Sequence, residues 1–442
     1  MAVNPVTNKI YVANYGSDDV TVINGTNNST ATVSAGTSPY AVAVNPVTNK
    51  IYVANYGSTN VTVIDGTNNS TATVAAGQWP IAVAVNPVTN KIYVANWGSN
   101  NVTVIDGTDN STDTVGAGTR PETVAVNPAT NKIYVANFLN NNVTVIDGTD
   151  NSTATVAAGT GPAAAAVNPT TNKIYVANNN SNDVTVIDGT DHTTTTVAAG
   201  TWPLAVAVNP VTNKIYVANN SNNVTVIDGT NNITDTVPAG TSPRAVAVNP
   251  VTNKICVANM YSSNVTVIDG TDNSTATVAA GTGALAVAVN PVTNKIYVAN
   301  NNSNDVTVIT PVRAQPSPIT TNITSLPGNA TLLPRPTFSF SASSTFSPNT
   351  PPVRHIYYQV DTWIGPWLKA SPAGASGSGQ TPALLPGTHL LFAFAADGQE
   401  ATSINTGQGS SPVIGEISAY HFLMNGPQAT HQLCLPLALK RY

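Results

Sequence analysis

The sequence predicts an all-β chain, a β-propeller of four-stranded blades followed by a smaller β-sandwich, on three observations. An Asn-Pro pair recurs with Asn at 4, 45, 86, 127, 168, 209, 249 and 290, so a unit of 41 residues, once 40, repeats through the first two thirds of the chain. That period belongs to propeller blades rather than to helical hairpins. Charged residues make up only 8% of the chain, while Val, Thr, Asn and Gly abound, a composition of strands and turns. Beyond residue 310 the repeat stops, and 442 residues exceed one ordinary core, so a second domain is expected.

Each element of the unit follows from its residues. In the second copy, strands are expected at 41–44, 50–55, 61–65 and 71–75, joined by Asn-Pro-Val-Thr-Asn, Tyr-Gly-Ser-Thr-Asn and Gly-Thr-Asn-Asn-Ser. Ala-Gly-Gln-Trp-Pro leads on to the next copy, and all four connections are rich in turn formers. The result is a four-stranded meander. Its strands are Val/Ile/Ala-rich with little polar alternation, as when both faces of a sheet are buried. A propeller blade, packed between two neighbours, meets that condition. A stacked solenoid would need altered capping repeats, whereas the end copies here keep the common pattern.

The recurring Lys-Ile-Tyr-Val-Ala-Asn, Val-Thr-Val-Ile-Asp-Gly and Ala-Gly-Thr-x-Pro phrases, over residues 1–310, resemble the YVTN β-propeller repeat of surface-layer and other secreted microbial proteins. The resemblance implies the propeller fold; propellers of this kind host many roles, so it does not fix one. The first three strands occur eight times and the fourth only seven, the last at 275–279. Eight blades with an incomplete last one are expected. The alternative is seven blades that close by pairing the two chain ends, with one partial copy spare.

Residues 311–318 hold three prolines and read as a semi-rigid linker. Residues 319–425 follow, with strands expected at 337–341, 355–361, 367–370, 387–397 and 417–424, about the length of an immunoglobulin-like sandwich. Leu385-Pro386-Gly387-Thr388-His389 resembles the approach to the penultimate strand of bacterial Ig-like modules. That resemblance implies a spacer or adhesive stalk. Residues 426–442 form a tail with no assignment.

Bulk properties exclude several classes of function. A net charge of -5 with no Lys/Arg cluster gives no footprint for a phosphate backbone, so nucleic acid is not an expected partner. No run of eighteen apolar residues exists to span a membrane. Met1-Ala2-Val3-Asn4-Pro5 enters the repeat directly and shows no leader, so the start is expected to be truncated. The Thr/Asn/Ser-rich, Cys-poor composition suits an extracellular or cell-envelope protein. Cys256, where the other copies have Tyr, and Cys434 read as free thiols.

Residue types that carry chemistry are few. Lys opens every second strand (9, 50, 91, 132, 173, 214, 254, 295), and Asp closes the third at 65, 106, 147, 188, 228 and 269. Across an antiparallel hairpin these ends meet, so a rim ion pair is expected within each blade except the first and last, which have Asn24 and Thr310 in place of Asp. The loops around Asp106-Gly107-Thr108-Asp109-Asn110 lack the EF-hand spacing and its Glu, and read as turns. No metal or cofactor is expected. His192 and Glu122 are alone of their kind in the propeller, and His355, His389, His421 and His431 have no ligand spacing. The enzymatic alternative is a lactonase-like hydrolase, which this fold resembles; Arg120, Glu122 and Arg244 are the nearest acid–base set.

The copies differ mainly on one face. Loops alternate between blade ends, so the connection of strands two and three shares a face with the loop leading into the blade. There the copies place Tyr15, Tyr56, Trp97 and Phe138 in four successive blades, then Asn179, Asn220, Met260 and Asn301. The leading loops add Tyr40, Trp79, Arg120, Glu122, Trp202 and Arg244. Rigid aromatic anchors with Asn and Ser neighbours suit sugar rings or protein loops. The expected function is therefore non-enzymatic binding of a glycan or protein ligand on this face.

Overall fold

The computed structural model describes residues 1–250, 252–291, 293–310, 319–344, 353–361, 367–384, 387–396 and 418–424. The repeats fold into seven four-stranded antiparallel meanders and one three-stranded sheet. Blade 2 is typical, with strands Pro39–Asn45, Lys50–Asn55, Asn60–Asp65 and Thr71–Ala75. Blade 8 consists of Ala284–Val289, Ile296–Asn300 and Asp305–Ile309. The fold is a β-propeller.

Strand periodicity explains why blades pack on both sides. Successive side chains of Lys-Ile-Tyr-Val-Ala-Asn point to opposite faces. Tyr52 and Ala54 of blade 2 pack with Ile92, Val94 and Ile105 of blade 3, while Ile51 and Val53 pack with Tyr11 and Val20 of blade 1. Each such side chain is fully buried, which contributes about 1.5–3 kcal/mol apiece for the large ones.

Ring closure decides the blade count. Asn45 uses its carbonyl oxygen to accept from the Val47 and Thr48 amides, which shapes the Asn-Pro turn, and its amide donates to Asn90 of the next blade at 2.9 Å. The same bond joins Asn4 to Asn49 and every later pair around to Asn290, which donates to Asn8 of blade 1. The ring therefore closes with eight blades, and Val3, Ile10, Val12 and Ile23 of blade 1 pack on Tyr297 of blade 8.

The lysines depart from the sequence expectation. The register does set Lys50 opposite Asp65, yet the Lys50 ammonium donates to the Gly107 carbonyl of the following blade at 2.8 Å. Lys9, Lys91, Lys173, Lys214 and Lys295 do likewise, the last reaching Gly25 of blade 1. Among the described residues only Lys132–Asp147 and Lys254–Asp269 form the pair within a blade. Asp65 Oδ1 accepts from the Thr67 amide, but Asp147 and Asp269 accept the same turn bond and still receive a lysine on Oδ2, so strap and pair are alternative reaches of one long stem. The glycine that Lys50 meets is tightly enclosed, since a Cβ on Gly107 would lie 2.3 Å from Asn90 Oδ1 and 2.7 Å from the Asn90 carbonyl oxygen.

The second domain is a pair of sheets. One contains Ile319–Ile323, Thr337–Ser344 and Ser376–Gln380; the other runs Ala330–Thr331, Ser418–Met424, Gly387–Ala396, His355–Val360, Leu368–Lys369. Phe338 and Phe340 of the first pack with Ile356, Tyr358, Leu391 and Phe422 of the second in one core. Ile319–Ile323, Ala330–Thr331 and Ser376–Gln380 were not among the expected strands; Thr- and Ser/Gly-rich stretches carry little apolar signal. The expected linker 311–318, the tail 426–442, His431 and Cys434 lie outside the described residues.

Candidate functional site

Two backbone devices build the variable face. The first is a β-bulge at the start of each first strand. Pro39 faces Asn55 and Ala41 faces Ala54, leaving Tyr40 as the extra residue. Ile81, Glu122, Ala163, Leu204, Arg244 and Leu285 occupy the same place in the next six blades. Bulges re-aim a side chain out of the ladder. Tyr40, Glu122 and Arg244 therefore belong to the first strand, a correction to their expected place in the leading loop, because the residues on either side of each, Pro and then Ala or Thr, pair with strand two.

The second device is a left-handed residue just before the first strand, followed by proline in blades 2 to 7 and by Ala284 in blade 8. Trp79, Arg120 and Trp202 have φ of 54°, 57° and 54°, where blades 5 and 8 use Gly161 and Gly283, and blades 2 and 7 use Ser38 and Ser242. A large side chain in this region costs of order 1 kcal/mol. Hydrogen bonds hold it there. The Arg120 amide donates to Asn100 Oδ1 of the preceding blade, and its carbonyl accepts from the Phe138 amide at 2.9 Å. Trp79 likewise accepts from the Trp97 amide at 3.0 Å, so the pre-proline residue and the head of the next loop always sit together.

These positions assemble one aromatic track over blades 1 to 4. Tyr15, Tyr40 and Tyr56 form a triangle with ring centroids 6.1–6.4 Å apart. Tyr56 stacks on Trp79 at 6.2 Å, and Trp79 meets Trp97 at 5.3 Å. The Arg120 guanidinium then lies 4.0 Å above Trp97 and 5.5 Å from Phe138, joining the last ring through cation–π contact. Tyr15, Tyr40 and Trp79 are about half exposed, while Tyr56, Trp97 and Phe138 are half-buried.

Glu122 joins the track at Trp97. Its Oε2 accepts from Trp97 Nε1 at 3.1 Å. Burial pushes the carboxyl above its ordinary range, opposed by the indole hydrogen bond and by the Arg120 charge. Burial also raises the Tyr40 hydroxyl, with help from the Glu122, Tyr15 and Tyr56 charges.

Not every expected residue joins. Trp202 is 54% exposed in blade 6 with no ring partner among the described residues, and Arg244 in blade 7 has no contact with Arg120 or Glu122. The acid–base trio expected for hydrolysis is thus reduced to Arg120 and Glu122. Elsewhere, His389 and Asp361 lie 2.7 Å apart, buried in the second domain. A cavity of about 410 Å³ along the first strands is lined by Val3, Val126, Ala166, Val208, Val248 and Val289 and by no ionisable side chain.

Comparison with known proteins supports the fold alone. No protein-family model and no curated protein matches the chain. Among solved structures it is similar to the Kuenenia stuttgartiensis hydrazine synthase, with 20% identity and a TM-score of 0.53, over 62% of this chain and 96% of that one. At that identity the likeness carries architecture and no chemistry.

Proposed function

We propose that this chain is a non-enzymatic binding and display protein of the extracellular space or cell envelope. The aromatic face of the propeller holds a ligand, and the second domain, read as Ig-like, spaces or tethers it. The observation that carries this reading is the confinement of the track to blades 1 to 4, while Asn179, Asn220 and Asn301 take the equivalent place in blades 5, 6 and 8. A need to cover blade ends acts on all eight blades alike; a ligand acts on one sector.

The chemistry of the track fits a glycan best and a protein loop next. Stepped rings about 6 Å apart offer faces to the apolar sides of successive sugars, and Arg120 and Glu122 offer polar atoms at its end. The resemblance to YVTN repeats supports the location. A combined glycan and peptide array, run beside a lactone-hydrolysis assay, tests the proposal. Hits lost in Trp79→Ser support it, whereas lactone turnover that depends on Glu122, without stable capture, moves the chain to the hydrolase reading.

A further inference from the structure

Among the described residues blade 8 has three strands where every other blade has four, and the other seven define what fits at its outer edge. In blade 7 the fourth strand Thr275–Ala279 runs antiparallel to Asn264–Asp269, with Val278 opposite Val265, Thr277 opposite Thr266 and Thr275 opposite Ile268. Blades 1 to 6 repeat this register. Their fourth strands are exposed except for one valine, Val33, Val74, Val115, Val156, Val197 or Val237, each 2–6% exposed. Val74 shows its role: it packs on Val61 and Val63 of its own blade and on Ile92, Val94 and Ile105 of the next.

At the junction of blades 8 and 1 that valine has no counterpart among the described residues. Asp305–Ile309 is paired on one side only among the described residues, with Ile296–Asn300. Val306 and Val308 remain half-buried, whereas Val61 and Val63 are 0% and 5% exposed. Val12 of blade 1 is 7% exposed where Val53 and Val94 are at 0%. The chain beyond Thr310 brings Pro311, Pro316 and Pro318 within eight residues, and proline has no N–H for a ladder. An unpaired, β-branched edge is a template for another strand.

We propose that the outer edge of blade 8 is a strand-docking site that takes an extended segment of a partner polypeptide with the pattern Thr-x-Thr-Val-Ala. The segment runs antiparallel to Asp305–Ile309, its valine opposite Val306 and its first threonine opposite Ile309. Main-chain hydrogen bonds give the affinity, and the valine seat between Val306, Val308 and Val12 gives the specificity. This site is separate from the aromatic face.

A fluorescent synthetic peptide spanning residues 273–281, titrated into the full chain, tests it. The parent peptide should bind at least tenfold more tightly than one with Val278→Asp, and should slow amide exchange in Asp305–Ile309 at least tenfold while leaving Asn60–Asp65 unchanged. Binding should be the same in Trp79→Ser, which separates this edge from the track. Equal affinity of both peptides overturns the proposal. So does full protection of Asp305–Ile309 in the free monomer, which would mean the chain covers its own edge, or sedimentation as a dimer that the peptide does not dissociate, which would mean a second copy covers it.

Discussion

Asn290 donates its side-chain amide to Asn8 at 2.8 Å across 282 residues of chain, and this bond closes the ring. It is the same bond that links Asn45 to Asn90 in the middle of the repeats. Since Asn45 and Asn290 are fully buried, each alanine substitution leaves polar groups without partners, at about 1–3 kcal/mol per group. Asn45→Ala and Asn290→Ala should each lower unfolding free energy by about 2 kcal/mol or more in urea titrations. Losses under about 0.5 kcal/mol would show that the amide ring is incidental.

Blade 8 is expected to open before the others. Ala2–Asn4 makes three ladder pairs where Pro39–Asn45 makes six, and Asp305–Ile309 has one paired neighbour among the described residues. Amides of Asp305–Ile309 should exchange at least tenfold faster than those of Asn142–Asp147, because exposed edges open at low free-energy cost. Equal protection would remove the idea of a weak seam.

The track separates binding from packing residue by residue. Trp79→Ser installs the residue type of Ser38 and Ser242, and Tyr40→Ala that of Ala163, so both changes use side chains the repeat already accepts. Stability should move by less than about 1 kcal/mol, while ligand capture weakens at least tenfold, as for a central aromatic anchor. Trp202→Ser is the matched control, with the same backbone angle and no ring partner among the described residues. It should leave capture unchanged; an equal loss there would dissolve the track as a unit. Trp97 is a poorer probe, because its indole also satisfies Glu122.

Glu122 gives a pH signature. Its carboxyl is held above the ordinary value, chiefly by burial, so the folded state binds the proton more tightly than the unfolded one. That contribution to stability is present below about pH 4 and is lost as pH rises through the raised value. Glu122→Gln keeps an acceptor for Trp97 and cannot titrate. Urea midpoints from pH 4 to 7 should show the variant gaining on the parent as pH rises. Parallel curves would contradict the burial of this group.

Cys256 can report the opening of blade 7. It is buried, and burial pushes its thiol up to about 12, so thiolate is scarce near neutrality. In a Cys434→Ser background, a disulfide reagent at pH 7.5 should react at least a hundredfold faster in denaturant than in buffer. Rapid labelling of the native chain would mean that blade 7 breathes far more than its packing implies.

Much of this molecule was legible in the sequence because its controlling signals are local. The 41-residue period, the alternation within Lys-Ile-Tyr-Val-Ala-Asn and the turn chemistry of Asn-Pro and Asp-Gly each act within a few residues, so strands, meanders and the variable face could be read directly. Aromatic residues in four consecutive copies even marked the sector. The strands Ile319–Ile323 and Ser376–Gln380 were missed because Thr, Ser and Gly form them without an apolar period.

What only the tertiary structure decided lies between blades. Sequence distance hid the Asn45–Asn90 bond and the Lys50–Gly107 strap, and local register suggested a Lys–Asp pair where most lysines reach across to the next blade. The bulge that turns Tyr40 and Glu122 outward, and the left-handed turn that lays Trp79 between Tyr56 and Trp97, depend on how one hairpin meets the next. A repeat writes its own fold in short-range terms. The joins between repeats are fixed by packing and hydrogen bonds that exist only once the ring has closed.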